Sequence, residues 1–123
     1  MNRYILVKAG IDVNQGVHRF NENKEMYEEF LMKFPQDKCF GNLEDAIQKK
    51  DIKKAFEASH SLKGISGNLS LVQLHADLIP LVEGLRAGSM DNVEELMIPI
   101  RSSYKQVMDA LTRPVQPTKN NLF

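Results

Sequence analysis

Apolar residues recur along this chain at three- and four-residue spacing, and strict apolar/polar alternation is absent. From Asn23, the stretch NKEMYEEFLMKF sets Met26, Tyr27, Phe30, Leu31 and Phe34 on one helical stripe. Asn23 is the predicted N-cap and Pro35 the stop. A second helix is predicted from about Asp37 to Lys50, burying Phe40, Leu43, Ala46 and Ile47. Asp51 caps a third, running to about Leu69 with Ile52, Ala55, Ala58, Leu62, Ile65 and Leu69 on its apolar side.

Ser70 is the predicted cap of a fourth helix, carrying Leu71, Leu74, Leu78, Leu81, Val82 and Leu85 and closed by Gly88. Asp91 is the predicted cap of a fifth, whose stripe runs from Val93 through Met97, Ile100, Tyr104 and Val107 to Leu111. Pro80 and Pro99 fall inside these two helices and predict a kink or a local break in each. Upstream, GIDVNQGVHRF reads as a loop and a short helix capped by Asp12 or Asn14. The pattern predicts an all-α antiparallel four-helix bundle with one or two additional short N-terminal helices. It occupies residues 1–113, and the proline-containing segment 114–123 is a flexible tail.

Composition narrows the function without naming it. The chain has 123 residues, enough for one modest core, with 42% hydrophobic and 26% charged residues. Sixteen basic residues balance sixteen acidic ones, so no net field draws the protein to nucleic acid or an anionic membrane. The single cysteine, Cys39, forms no internal disulfide and reads as a small core residue in a reducing cytoplasm. The N-terminal apolar run, Tyr4 to Val7, is too short for a signal-peptide core. Met26, Met32, Met97 and Met108 read as core filling.

One stretch resists the bland reading. HSLKGISGN, residues 60–68, puts two glycines inside a helix, where each costs about 1 kcal/mol relative to alanine. At about 100° per residue, His60 lies roughly 160° from the centre of the apolar arc and faces solvent. Gly64 and Gly67 stand at i+4 and i+7 on the same column and clear an approach to the imidazole. Lys63 at i+3 brings a cation, and Lys53, two turns earlier, extends a basic cluster with Lys49, Lys50 and Lys54. Phe56 lies at the edge of the apolar arc, on the side of His60. Glu57, at i−3, is a weaker candidate for orienting the ring.

These residue types suit an imidazole that carries a phosphoryl group. Neutral imidazole is a competent nucleophile near pH 7, and a lysine partly offsets the phosphoryl charge. The transfer depends mainly on positioning and charge stabilisation. A metal site fits less well, because no second ligand stands at i+4 from His60. The ordinary alternative is a solvated surface histidine, which is how His18 and His75 read, since neither has a lysine–glycine context. No phosphate-binding loop occurs, so ATP-dependent self-phosphorylation is not expected.

SHSLKGISGNLS, with His60, Leu62, Lys63, Gly64, Asn68 and Leu69, resembles the signature of the histidine-containing phosphotransfer (HPt) family. The resemblance extends over about residues 10–112, through Gly10-Ile11-Asp12, Arg19-Phe20, Tyr27, Leu31 and Phe34, then Leu74, Val82-Glu83 and Arg86. Ser70 and Leu71 depart from it where the family often has glycine then alanine, as do Pro80 and Pro99. The resemblance implies a cytoplasmic phosphorelay carrier of two-component signal transduction, with His60 the phosphoacceptor through Nε2. Lys63 then stabilises charge and Gly64 gives clearance. From their places beside His60 on the helix surface, Phe56, Gly67 and Lys53 are expected to meet the partner.

The implied partners are response-regulator receiver domains and a hybrid histidine kinase. Mg²⁺ is expected in the receiver, with no cofactor bound by this chain. Such a chain is a monomer and a carrier, not an enzyme in its own right. The alternatives are a helical protein-interaction module that never takes phosphate, and a fragment of a multidomain kinase. The start at Met1 favours a free-standing protein.

Overall fold

Seven α-helices and one 3₁₀ turn follow one another in a computed structural model that describes residues 2–112. They are α1 (Arg3–Lys8), α2 (Val13–Arg19), α3 (Lys24–Lys33), a 3₁₀ turn (Phe34–Gln36), α4 (Cys39–Gln48), α5 (Ile52–Asn68), α6 (Val72–Arg86) and α7 (Val93–Thr112). No strand occurs among the described residues. The four C-terminal helices, α4 to α7, make the antiparallel bundle; α1 packs against α7, and α2 links α1 to α3. The expected tail, 114–123, lies outside the described residues.

Helix starts follow the side-chain caps. Asp12, Asn23 and Asp51 each accept a backbone N–H of the first turn, at 3.0, 3.0 and 3.1 Å. Asn2 does the same for α1, a helix that the short apolar run did not reveal. Helix ends follow left-handed residues: Lys50, Ser70 and Gly88 have φ of 57, 57 and 81°. In each case the following N–H bonds back to the fifth residue before it, as in Leu71 N to Ser66 O at 2.9 Å.

Ser70 is therefore not the N-cap of α6. It closes α5, and Leu71 stands at the start of α6 with no side-chain cap bond. The Ser70 hydroxyl instead donates to Gln15 Oε1 at 2.8 Å, and its carbonyl accepts the Asp12 N–H at 2.9 Å. Where the family often has glycine, this serine holds the backbone conformation that glycine adopts without strain. Asp91 is likewise not adjacent to its helix, since α7 begins at Val93 after Asn92 at φ 63°.

The core runs through all seven helices, with Leu6, Tyr27, Leu31, Leu43, Leu62, Leu74, Leu78, Met97 and Ile100 fully buried. Pro80 and Pro99 lie on exposed faces of α6 and α7, and both helices run unbroken through them. Two features tie α4 to α7. Phe40 stacks on Tyr104, ring centroids 3.8 Å apart, and Arg101 pairs bidentately with Glu44 at 2.9 Å for both bonds.

Three expectations about the core change. Met26 and Phe30 are each 45% exposed and Met32 is exposed too, so α3 buries only the narrower stripe of Tyr27 and Leu31, followed by Phe34. Cys39 is half-buried at the core margin. Its thiol is pushed up to about 11 by burial, then by the hydrogen bond and charge of Asp37, which leaves it a poor nucleophile.

Candidate functional site

The site lies on the outer face of α5. Ala55 and Leu62 point into the core and are fully buried, while His60, Gly64 and Lys53 on the opposite side are exposed. Apart from its chain neighbours and the backbone of its own helix, no heavy atom lies within 4 Å of where a Cβ on Gly64 would stand. The space beside the imidazole is open. Lys63 is half-buried, and its ammonium pairs with no carboxylate among the described residues. Glu57 makes no bond to the His60 ring, and neither does any other described side chain.

Gly67 behaves differently. A Cβ there would stand 3.2 Å from both Cε1 and Nδ1 of His75, on α6. The missing side chain makes room for a ring from the next helix. That ring also bonds α5 directly: His75 Nδ1 lies 3.0 Å from the Lys63 carbonyl oxygen. A carbonyl only accepts, so Nδ1 carries the proton and donates. His75, which read as an ordinary histidine, ties α6 to the turn that bears Lys63 and Gly64.

The α6 side of the site holds a second aromatic group. Phe56 is half-buried, and its ring lies near-parallel to the His60 imidazole, 13° between planes and 5.5 Å between centroids. The Arg86 guanidinium sits over Phe56, 5.1 Å from its ring centre. Ser59 and Ser66, seven residues apart and so on the same side of α5, are fully buried. Ser59 Oγ donates to the Phe56 carbonyl at 3.1 Å, whereas Ser66 Oγ has no partner among the described residues.

The other flank of α5 is grooved. One cleft of about 410 Å³ lies against Cys39, Asn42, Lys54, Glu57 and Ser61. A second, of about 470 Å³, lies further along α5 against Ile65 and Asn68, with Phe20, Phe30, Arg19 and Lys33 on its other walls. Sequence reasoning missed this cleft because it placed Phe30 in the core. Among the described residues, no group of three or more His, Cys, Asp or Glu side chains could hold a metal ion. No described helix is long and apolar enough to cross a membrane.

A free imidazole with a bare neighbour and an unpaired ammonium one turn away can accept and release an electrophilic group, provided a partner delivers it. Searches of curated proteins and of solved structures find no match. The model of the Hpt domain, however, matches residues 25–112, which includes the whole of α5 and α6. That match spans most of the chain, and the protein therefore belongs to the Hpt domain family, the phosphocarrier modules of two-component phosphorelays.

Proposed function

We propose that His60 takes a phosphoryl group from the aspartyl phosphate of one receiver domain and gives it to the aspartate of another. The observation that carries this reading is the solvent-facing imidazole with nothing beside it at Gly64. With the proton on Nδ1, the Nε2 lone pair attacks phosphorus. A nitrogen–phosphorus bond forms as the acyl phosphate oxygen–phosphorus bond breaks, and the electron pair leaves on the aspartate carboxylate. The product is a phosphoimidazolium, and the reverse step needs no proton from the carrier.

Lys63 offsets charge on the transferring group, and its lack of a carboxylate partner leaves its ammonium available. Gly64 lets the receiver surface come close to the backbone. The Mg²⁺ that the reaction needs is held by the receiver's carboxylates. Lys53, exposed on the same column, draws an acidic receiver surface. The docking footprint centres on His60 and Gly64, with Phe56 and Gly67 at its α6 border, and the carrier works as a monomer in the cytoplasm. It supplies no reaction of its own and needs no ATP.

The test mixes the full chain with a phosphorylated receiver domain and Mg²⁺. Acid-labile, base-stable label is expected on the wild type and absent from His60→Gln. Label on both proteins would point to another acceptor. Label on neither, with receiver binding intact, would make this an interaction module.

A further inference from the structure

His60 is flanked unequally along its column. At i+4 stands Gly64, with open space, and at i−4 stands the Phe56 ring. A centroid separation of 5.5 Å between near-parallel rings describes an offset stack, one of the favoured arrangements of two π-systems. Phe56 is itself held from α6. Arg86 covers its ring at 5.1 Å, and Arg86 Nε lies 3.6 Å from the Glu83 carboxylate, a surface ion pair one turn back on α6.

We propose that Phe56, clamped by Arg86, is a positioning residue for phosphoryl transfer, fixing the plane of the His60 imidazole before a receiver arrives. This rests on the reading of His60 as phosphoacceptor. In-line displacement requires the attacking lone pair to align with the breaking phosphorus–oxygen bond. A lone exposed imidazole turns about two side-chain torsions, and its orientation must be restricted at the moment of transfer. With the stack in place, part of that restriction is met in the free protein. The ring rests against Phe56 and is approached from the Gly64 side. Phe56 and Arg86 form and break no bonds in the step.

Positioning and docking predict different kinetics. A docking residue changes the apparent Kd for the receiver; a positioning residue changes the transfer rate once the receiver is saturating. Single-turnover transfer from a phosphorylated receiver with Mg²⁺ is measured at rising receiver concentration for wild type, Phe56→Leu, Phe56→Tyr and Arg86→Met. Phe56→Leu is expected to lower the saturating rate roughly three- to tenfold, the scale of one aromatic pair, with a smaller rise in Kd because the ring borders the docking footprint. Phe56→Tyr keeps the ring and is expected to restore the rate. Arg86→Met, altered at an exposed side chain, is expected to fall between them.

The His60 ring protons report the stack independently of transfer. They are expected to show an upfield ring-current displacement in the aromatic ¹H–¹³C spectrum of wild type and Phe56→Tyr, and to lose it in Phe56→Leu. Should Phe56→Leu fail to fold, Arg86→Met and its ring-proton shifts decide the matter. Wild-type transfer with an unchanged saturating rate in Phe56→Leu, or in Arg86→Met if that variant has to stand in, would overturn the positioning role alone. An effect on Kd only would assign Phe56 to docking and overturn it too. No label on the wild type would overturn the phosphoacceptor reading and this inference with it.

Discussion

Gly64 and Gly67 lie one turn apart on the same helix and carry the same sequence signal, yet they do opposite things. Gly64 faces empty space, and Gly67 is filled by the His75 ring of α6 at 3.2 Å. Gly16 belongs with Gly67: a Cβ there would come within 2.2 Å of Tyr27 Cζ. A glycine in a helix thus marks a close approach, but the sequence does not say whether the approaching group is part of the molecule or comes from outside. The distinction predicts that filling Gly64 harms transfer and spares stability, whereas filling Gly16 or Gly67 harms stability first.

The largest effect is expected at Gly16. Gly16→Ala pushes on the fully buried Tyr27, whose hydroxyl donates to the Leu69 carbonyl at 2.8 Å, and should cost about 3 kcal/mol in urea unfolding. Gly64→Leu should slow transfer from a phosphorylated receiver roughly a hundredfold, the scale of a misplaced reacting group. Its melting temperature should stay at or above that of the wild type, since leucine favours helix over glycine. If Gly64→Leu unfolds the protein, the open-space reading of that position fails.

Gly67→Leu should lose about 2 kcal/mol by displacing the His75 ring. The loss should shrink when His75→Ala is made in the same chain, with a coupling of about 1 kcal/mol in the double-mutant cycle. Full additivity would show that the ring does not fill the space.

The buried side also carries a pH signature. Burial pushes the Tyr27 phenol well above its ordinary value of 10.0, with the charge of Asp12 adding to the shift. A group that holds its proton more tightly when folded contributes stability below its unfolded pKa and loses it as pH rises through the folded one. Urea midpoints should therefore fall as pH rises above about 10, and in Tyr27→Phe, with Cys39→Ser in both backgrounds, that fall should be smaller. The smallest effect is expected for Ser70→Gly. Relief of the left-handed backbone and loss of the Gln15 bond should cancel to within about 0.5 kcal/mol.

Much of this molecule is legible from its residues, and the illegible part has a common cause. Helix starts at Asn23 and Asp51 and the end at Gly88 follow local chemistry, and so does the exposure of His60, which needs only the 3.6-residue period. What failed depends on the neighbouring element. Met26 and Phe30 sit on the expected stripe, but α3 meets mainly the short α2 and the 3₁₀ turn, which cover only part of it. Ser70 looked like a cap because serine usually is one, and the chain needed a left-handed residue there instead. Helix α1 has six residues and one fully buried side chain, too little periodicity to read. Pro80 and Pro99 broke nothing because both fall on solvent-facing positions. His75 and Arg86 join the site only through the packing of α6 on α5, which no spacing within either helix reveals.

The most direct test locates the phosphoryl group itself. The full chain is phosphorylated by a receiver in Mg²⁺ and separated from it, and the modified nitrogen is identified by ³¹P and ¹H–¹⁵N NMR. One phosphorus signal coupled to Nε2 of His60 is expected, with the His18 and His75 rings unaltered. Phosphorus on either of those rings, or on a carboxylate, would contradict the carrier role of His60.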